Sequence, residues 1–216
     1  MWNVVLMGPP GSGKGTQATR LSESRNLRHV STGEILRRAV RSRTELGHQV
    51  EGVLQSGGLV SDDLMMGLMS DALTRLHDQK EGWLLDGFPR TAPQAAGLVA
   101  ILTEKGIVPP IVLNIVVPEE EIVERLSGRL TCSDGNHVAP KGSALEGDPC
   151  PECGADLYIR NDDKPETVRN RLKVFHEKTE EALAALVDVY RVVDVDGLGT
   201  PAQVTERIRV VLEAAC

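Results

Sequence analysis

The chain lacks any long uninterrupted apolar run. No segment reaches the roughly eighteen consecutive apolar residues of a transmembrane helix, and the N-terminus has no basic stretch followed by an apolar core. These absences predict that the protein neither spans a membrane nor carries a secretory leader. We therefore expect a cytoplasmic protein, whose thiols stay reduced.

Basic residues are in deficit, which bears on the class of partner. The chain has 24 Lys and Arg against 31 Asp and Glu, for a formal charge of −7. This balance argues against nucleic acid or an anionic membrane as the main partner. Yet 17 of the 24 basic residues are arginine, whose guanidinium binds phosphate in a bidentate way. An acidic protein of this composition can still hold a local anion site.

A glycine-rich stretch follows the first apolar run. Val4–Met7 is typical of a buried strand, and Gly8–Thr16 reads GPPGSGKGT before a helical pattern. Strand, glycine-rich turn and helix are the context of a phosphate-binding loop, whose backbone N–H groups and helix dipole hold an anion. Lys14 adds a full charge for the outer phosphates. Because Gly15 follows the lysine, the hydroxyl that usually binds magnesium is delayed to Thr16.

Strand-like runs alternate with amphipathic helical patterns. The predicted strands are Val4–Met7, Leu27–Val30, Trp83–Asp86, Ile111–Val117 and Val192–Val195. The predicted helices are Gly13–Arg25, Ser61–His77, Ala92–Thr103, Glu119–Ser127, Glu166–Val187 and Pro201–Ala214. The alternation predicts an α/β fold, with a parallel sheet between two helical layers, in which ligands bind at the carboxyl ends of the strands.

Two segments interrupt the alternation. Residues 31–61 carry helix signals without a buried strand, and Ser31 and Thr32 offer an N-cap. Residues 129–163 are rich in Gly, Pro, Asp and Cys, with hardly any apolar periodicity. A stretch of that length is too long for a loop inside a compact domain. We expect the segment 129–163 to be a small inserted subdomain that is held by a cross-link.

An acidic residue ends the predicted strand Trp83–Asp86, and Gly87, Phe88, Pro89 and Arg90 follow it. A carboxylate at this place faces the phosphate loop in such sheets and can hold magnesium or its waters. Arg90 would then lie near a transferred phosphoryl group. The same residues are equally consistent with a simple strand end, at which Asp86 only caps a turn.

Five segments in this order resemble the adenylate kinases: Gly8–Thr16, Ser31–Arg37, Asp86–Arg90 with Gln94, Gly128–Arg129 and Glu166–Leu172. The resemblance runs the whole length and is to the bacterial long form, which has a large lid. It implies a P-loop NTPase-type core at 1–30, 62–128 and 164–216. It also implies a nucleoside-monophosphate-binding insert at 31–61 and a lid at 129–163.

The resemblance further implies the residues of the site. Those implied to bind ATP are Gly11, Ser12, Gly13, Lys14, Gly15, Thr16, Arg129 and Thr200. Those implied to bind AMP are Thr32, Arg37, Gly58, Leu59, Val60, Gly87, Phe88, Pro89, Arg90, Gln94, Arg160 and Arg171. The implied catalytic groups are Lys14, Asp86, Arg90, Arg125, Arg129, Arg160 and Arg171. Glu34 replaces an aspartate common in the family, and Leu130 stands where a second lid arginine often follows Arg129.

The implied reaction is the reversible transfer ATP + AMP = 2 ADP with Mg²⁺, by a monomer that maintains adenine nucleotide levels. The AMP phosphate is already ionised, so positioning and charge neutralisation are sufficient for catalysis. Arg169 lies two residues from Arg171, and a helix directs it elsewhere. Asp162 and Asp163 have two interpretations, as partners of lid or hinge arginines or as solvated surface residues.

The sequence has only four cysteines, and in a reducing compartment they indicate a metal site rather than disulfides. Cys150-Pro-Glu-Cys153 is half of a zinc knuckle, but its partner half has only Cys132. His137 or Asp134 could complete a tetrahedral site, and we favour His137 because Cys₃His is a common structural zinc set. Thiolates also accept Co²⁺ or Fe²⁺. The alternative is a metal-free polar lid, and Cys216 is interpreted as incidental.

Three other functions stay open. A kinase for UMP, CMP or GMP would share most motifs, although Gln94 fits the edge of adenine. A relative that uses GTP as the phosphate donor would share nearly all of them. A nucleotide-dependent switch or assembly ATPase would not need Arg37, Arg90 or the insert at 31–61.

Overall fold

A parallel five-stranded sheet forms the centre of the protein. The computed structural model describes residues 2–133, 137–139 and 142–215. The strand order is β2-β3-β1-β4-β8 and every pairing is parallel. These strands are β1 Asn3–Met7, β2 Arg28–Ser31, β3 Trp83–Asp86, β4 Ile111–Val116 and β8 Val192–Asp196. Among the described residues, no helix is both long enough and apolar enough to cross a bilayer.

Helices cover both faces of this sheet. Val4 and Leu6 of β1 pack with one layer of helices, and Val5 and Met7 pack with the other, as the period of two in a strand requires. The helices are α1 Lys14–Arg25, α2 Thr32–Arg41, α3 Glu45–Ser56, α4 Asp62–Asp78, α5 Ala92–Glu104, α6 Glu119–Leu126, α7 Pro165–Val174, α8 Glu180–Val187 and α9 Pro201–Glu213. The predicted α/β fold with three layers, of the P-loop NTPase type, is confirmed.

The segment 31–61 contains the helices α2 and α3, and its only strand residue is Ser31, the last residue of β2. The Ser31 side chain accepts a hydrogen bond from the Glu34 N–H and caps α2, as predicted. The helices α2 and α3 pack closely, because Gly47 of α3 leaves no room for a Cβ atom against the Ala39 carbonyl of α2. The pair approaches α7, where Asn170 Nδ2 donates to the Ser56 carbonyl oxygen at 2.7 Å.

A second, antiparallel sheet lies within the segment 129–163. Its order is β6-β5-β7, with strands β5 Leu130–Cys132, β6 Val138–Ala139 and β7 Leu157–Ile159. Its buried apolar cluster is small and contains two of the cysteines; it consists of Leu130, Cys132, Ala139, Cys150 and Leu157. Sequence periodicity did not predict these strands, because runs of two or three residues are too short to show it.

The predicted helix Glu166–Val187 is interrupted. A π-helical turn over Phe175–Thr179 separates α7 from α8. The Thr179 hydroxyl donates to the Arg90 carbonyl oxygen at 3.1 Å, which ties this turn to the segment after β3. Such turns are frequent at functional sites, and this one directs α7 towards the carboxyl ends of the central strands.

Candidate active site and metal centre

The loop after β1 has the geometry of an anion cradle. Gly8, Gly11 and Gly13 all have positive φ, and a Cβ atom at Gly8 would lie 2.4 Å from the Ile115 carbonyl oxygen. The Lys14 ammonium donates to the Gly8 and Pro9 carbonyl oxygens at 2.8 and 2.6 Å. Burial lowers the pKa of Lys14 to about 7, because the neighbouring arginines add to the desolvation and outweigh the opposite effect of Asp86.

Asp86 ends β3 beside this loop. Its carboxylate accepts a hydrogen bond from Ser31 Oγ at 3.4 Å, and its Oδ2 lies 3.6 Å from His29 Nε2. Burial alone would raise the pKa of Asp86, but the contact with His29 and the charge of Lys14 outweigh it and lower the pKa. An ionised, half-buried carboxylate at this position fits a hard cation such as Mg²⁺.

Arginines crowd the cleft that opens beyond Asp86. Burial lowers the pKa of Arg90 to about 10, and the charge of Arg171 adds to this effect. Burial and the charges of Arg37 and Arg129 lower the pKa of Arg160 to about 10 as well. The Nε atoms of Arg37 and Arg160 are buried without a hydrogen-bond partner among the described residues. Such crowding of like charges favours the binding of an anion that carries several charges.

Two aspartates fix part of this cluster. Asp163 has a fully buried side chain and binds Arg129 through two hydrogen bonds, of 2.9 and 2.8 Å. It also accepts from Arg171 Nη1 at 3.0 Å, and Asp162 Oδ2 lies 3.2 Å from the same nitrogen. Of the two interpretations of these aspartates, pairing with arginines is confirmed. Arg169 is exposed, as expected.

One cleft of about 1280 Å³ collects most of the predicted site residues. Its walls include the phosphate loop, Asp86, Gln94 and residues from both segments 31–61 and 129–163. The predicted nucleotide-site and catalytic residues that line it are Gly11, Ser12, Gly13, Lys14, Gly15, Thr16, Thr32, Arg37, Gly58, Leu59, Val60, Asp86, Gly87, Pro89, Arg90, Gln94, Arg125, Arg129, Arg160 and Arg171. The predicted metal ligand His137 lines it as well.

Three predicted residues are placed differently from the rest. Phe88 is 1% exposed and packs in the apolar core under the cleft. Thr200 caps α9 through its side chain and does not line the cleft, although Gly199 and Pro201 do. Arg125 lines the cleft but pairs with Glu121 at 2.8 Å and donates to the Gly197 carbonyl oxygen at 3.0 Å.

Sequence reasoning missed His29 and Asp62. His29 reaches Asp86 from β2, and Asp62 binds the side chain of Gln94. Each of these contacts joins residues far apart in the chain, so no local sequence motif indicates it. The parallel pairing of β2 with β3 was the available signal for His29, because Ser31 stands beside Asp86 and His29 lies on the same face of the strand.

A compact group of metal-binding side chains lies in the segment 129–163. One ligand atom from each of four residues, Cys132, His137, Cys150 and Cys153, lies within 4.8 Å of all the others. His137 Nδ1 is 3.7 Å from Cys132 Sγ and 3.8 Å from Cys150 Sγ. These separations match the edges of a tetrahedron around an ion with metal–ligand distances of about 2.0–2.3 Å. The donor set therefore fits a structural metal such as zinc. Asp134 and Cys216 lie outside the described residues.

Comparison with known proteins agrees with this geometry. A family model described as adenylate kinase matches residues 6–194. An adenylate kinase of Methanothrix thermoacetophila is 43% identical over 212 residues, which cover 97% of this chain and 98% of the relative. An adenylate kinase of Methanococcoides burtonii is 45% identical over 91% of this chain and 92% of its own, and one of Streptomyces griseus is 39% identical over 98% of both. The chain therefore belongs to the adenylate kinase family and is a nucleoside-monophosphate kinase.

Proposed function

We propose that the chain transfers a phosphoryl group reversibly between ATP and AMP, with Mg²⁺, and so maintains adenine nucleotide levels. The observation that carries the proposal is the crowded cation cluster. The pKa values of Lys14, Arg90 and Arg160 are all lowered at one cleft, to about 7, 10 and 10. The phosphates of two nucleotides supply the negative charge that this cluster favours, and a single nucleotide switch would need fewer cations.

The loop Gly8–Thr16 binds the donor phosphates. Its backbone N–H groups and the N-terminus of α1 hold them, and Lys14 turns from its own loop carbonyls to the outer phosphates. Arg129 covers the same phosphates from the segment 129–163. Arg90, Arg160 and Arg171, which line the same cleft, stabilise the transferred group. Asp163 orients Arg129 and Arg171, so their charges are already positioned when the transition state forms.

Asp86 and Thr16 are the residues that would hold Mg²⁺, directly or through its waters. The ion neutralises charge on the donor phosphates when bound. The chain's own part is to keep Asp86 ionised, which the lowered pKa accomplishes.

The acceptor lies between Thr32, Arg37 and Gln94. Arg37 and Arg90 hold the monophosphate, and Gln94 contacts the base edge. Thr32 Oγ1 donates to the Gly87 carbonyl oxygen at 2.8 Å, which fixes the loop after β3 under this site.

Turnover requires the segments 31–61 and 129–163 to open and close as lids of the core, because both wall the cleft and nucleotides must enter between them. Gly128, with φ 75° and open space at its Cβ position, suits a hinge beside Arg129. A bisubstrate analogue with two adenosines should compact the protein in small-angle scattering. Identical profiles with and without the analogue would contradict the motion.

The Cys₃His group holds one structural metal, which we take to be Zn²⁺, with Co²⁺ or Fe²⁺ as possible substitutes. Four protein ligands leave no open position for chemistry. We expect the three thiols of this group to stay reduced, because we place the enzyme in the cytoplasm. Because one chain supplies every wall of the cleft, we expect the enzyme to act as a monomer.

A coupled assay with four monophosphates and two donors tests the proposal. Mg²⁺, ATP and AMP should give ADP, and ADP alone should return ATP and AMP. AMP alone should raise the melting temperature, which a nucleotide switch would not show. Preference for UMP, CMP or GMP, or for GTP over ATP, would assign the chain to another specificity within the family.

A further inference from the structure

A closed hydrogen-bond network surrounds the side chain of Gln94, which is 2% exposed yet lines the cleft. Gln94 Oε1 accepts from the Arg90 backbone N–H at 2.8 Å, and Gln94 Nε2 donates to Asp62 Oδ1 at 2.8 Å. Thr91 Oγ1 accepts from the Gln94 backbone N–H at 3.2 Å and donates to the same Asp62 oxygen at 2.8 Å. Each group in this network therefore has a defined direction.

These directions determine which way the amide of Gln94 faces. A backbone N–H can only donate, so the atom opposite Arg90 must be the amide oxygen. Asp62 Oδ1 receives two donors and can only accept, so the atom opposite it must be the amide nitrogen. A turn of the amide by half a revolution would set donor against donor at Arg90 and oxygen against oxygen at Asp62, and both contacts would be lost.

The fixed amide can recognise only one kind of purine edge. One hydrogen on Nε2 and one lone pair on Oε1 remain available to the cleft. A 6-aminopurine presents an acceptor at N1 and a donor at its amino group, which match this pair. A 6-oxopurine presents a donor at N1 and an acceptor at O6, which oppose both. A binding site with fixed hydrogen-bonding groups rejects such a reversed edge far better than an apolar pocket rejects a change of shape.

We propose that Asp62 is a specificity-determining positioning residue, which holds Gln94 in the orientation that accepts 6-aminopurine monophosphates and rejects 6-oxopurine monophosphates. This inference rests on the proposed function, because it requires the base of the acceptor to lie at Gln94. Asp62 does not line the cleft, and its side chain contacts Gln94 Nε2 and Thr91 Oγ1, so its effect on a bound base passes through Gln94. Its carboxylate also lies in the first turn of α4, where its negative charge interacts favourably with the helix dipole.

Asp63 provides the matched control, because it is an exposed carboxylate in the same turn of α4. The experiment compares kcat/KM for AMP and inosine monophosphate, whose bases differ in the hydrogen-bonding edge and not in shape. The wild type should prefer AMP by at least about tenfold. Asp62→Asn should narrow this preference by about fivefold or more, since an asparagine can donate to a turned amide oxygen. Asp63→Asn should leave the ratio unchanged.

A double-mutant cycle separates this role from a structural one. Gln94→Met should bring the ratio close to unity, and Asp62→Asn should then change it no further, because the effect of Asp62 on the bound base passes through the Gln94 amide. Asp62→Ser, whose hydroxyl can donate or accept, should shift the ratio in the same direction as Asp62→Asn and serves if that variant does not fold.

Three results would overturn the proposal: an unchanged ratio in both Asp62 variants, an equal change in Asp63→Asn, or a change that persists in the Gln94→Met background. Absence of AMP turnover in the wild type would instead overturn the proposed function, so the two failures are distinguishable.

Discussion

The central sheet and the small sheet of the segment 129–163 are stabilised in different ways. The central sheet is covered on both faces by apolar clusters with large, fully buried side chains such as Trp83, Leu84 and Ile115. Among the described residues, the small sheet has a buried cluster of five residues, and two of them are cysteines. Burial of apolar area can stabilise the first, whereas we expect the second to need the proposed metal cross-link to offset its chain entropy.

The difference suggests that the core and the segment 129–163 fold and move separately. A region stabilised by a local cross-link can move as a unit without disturbing the core, and its stability can be changed separately. Asp163 joins the two regions through its ion pair with Arg171 of α7, and it also binds Arg129 within its own segment. Both arginines are residues of the proposed phosphate site. The following predictions test whether the regions are separable.

Removal of the metal should have the largest effect and should be confined to one region. Binding of a structural Zn²⁺ contributes about 10–16 kcal/mol in zinc-finger peptides. A strong chelator, or Cys132→Ser with Cys150→Ser, should therefore unfold the segment 129–163 and abolish turnover, while the core stays folded. Limited proteolysis should cut within that segment only, and elemental analysis should show the loss of about one equivalent.

Single substitutions of other side chains provide the controls for this prediction. Cys216→Ser should retain the metal, and His137→Ala should weaken its retention tenfold or more, whereas Asp134→Ala should not. Less than about a tenth of an equivalent of any transition metal in the wild type would contradict the site altogether.

Asp163→Asn should have the next largest effect, since it breaks the connection between the two regions. Loss of one partner of a buried ion pair costs about 3–5 kcal/mol, because the other charges stay buried. Chemical denaturation should show this loss, together with reduced activity. Asp162→Asn is the control, since 19% of its side chain is exposed and its loss should cost less. Equal losses in both variants would contradict the importance of burial at Asp163.

Leu84→Ala should destabilise the core alone. Leu84 is fully buried in β3, and truncation of a buried leucine costs about 3 kcal/mol. The denaturation midpoint should fall while the metal content stays at one equivalent. Leu145→Ala, in the small region at 74% exposure, should change neither quantity. A loss of metal in Leu84→Ala would show that the regions are not separable.

Lys14→Met should give the smallest change in stability and a large loss of activity. The pKa of Lys14 is lowered to about 7 in the folded protein, from 10.5. Between these values the unfolded chain holds a proton that the folded one does not, so this residue's contribution to stability rises with pH. Below pH 7 Lys14 is protonated in both the folded and the unfolded chain, and the full cost of burying its charge lowers the stability of the folded protein. The variant should therefore be more stable than the wild type at pH 6.

This gain should fade as the pH rises towards 10. Urea denaturation at pH 6 and pH 9.5 measures it, with the exposed Lys178→Met as the control. Activity should fall by about two to three orders of magnitude, because a charge that stabilises the transition state is removed. A variant that keeps most of its activity would contradict the role of Lys14.

Local patterns predicted the central fold well. The buried run Val4–Met7 and the glycines after it gave β1, the turn and α1, because each signal lies within a few residues. The weaker strand was placed one residue early, at Leu27–Val30 instead of Arg28–Ser31, since its alternation is short. The π turn at Phe175–Thr179 was missed, because one extra residue hardly disturbs a helical hydrophobic pattern.

Contacts between distant segments were less predictable. The approach of Asp62 to Gln94 and of His29 to Asp86 depends on the packing of whole elements. The grouping of Cys132, His137, Cys150 and Cys153 was an exception, because their residue types alone restrict the chemistry they can share. The catalytic and binding roles of the individual cleft residues stay predictions.

Because the π turn at Phe175–Thr179 joins α7 to α8, the number of residues in this turn determines the direction in which the side chains of α7 point. Ala182 and Leu186 of α8 are fully buried in the core and fix that end, whereas Arg171 of α7 reaches the cleft from the other. Deletion of one residue from the turn would restore α-helical winding and rotate everything before it by about 100°. Arg171 would then face away from the phosphates although no contact residue had been replaced. In this stretch, the count of residues between core and cleft is as restricted as their identity.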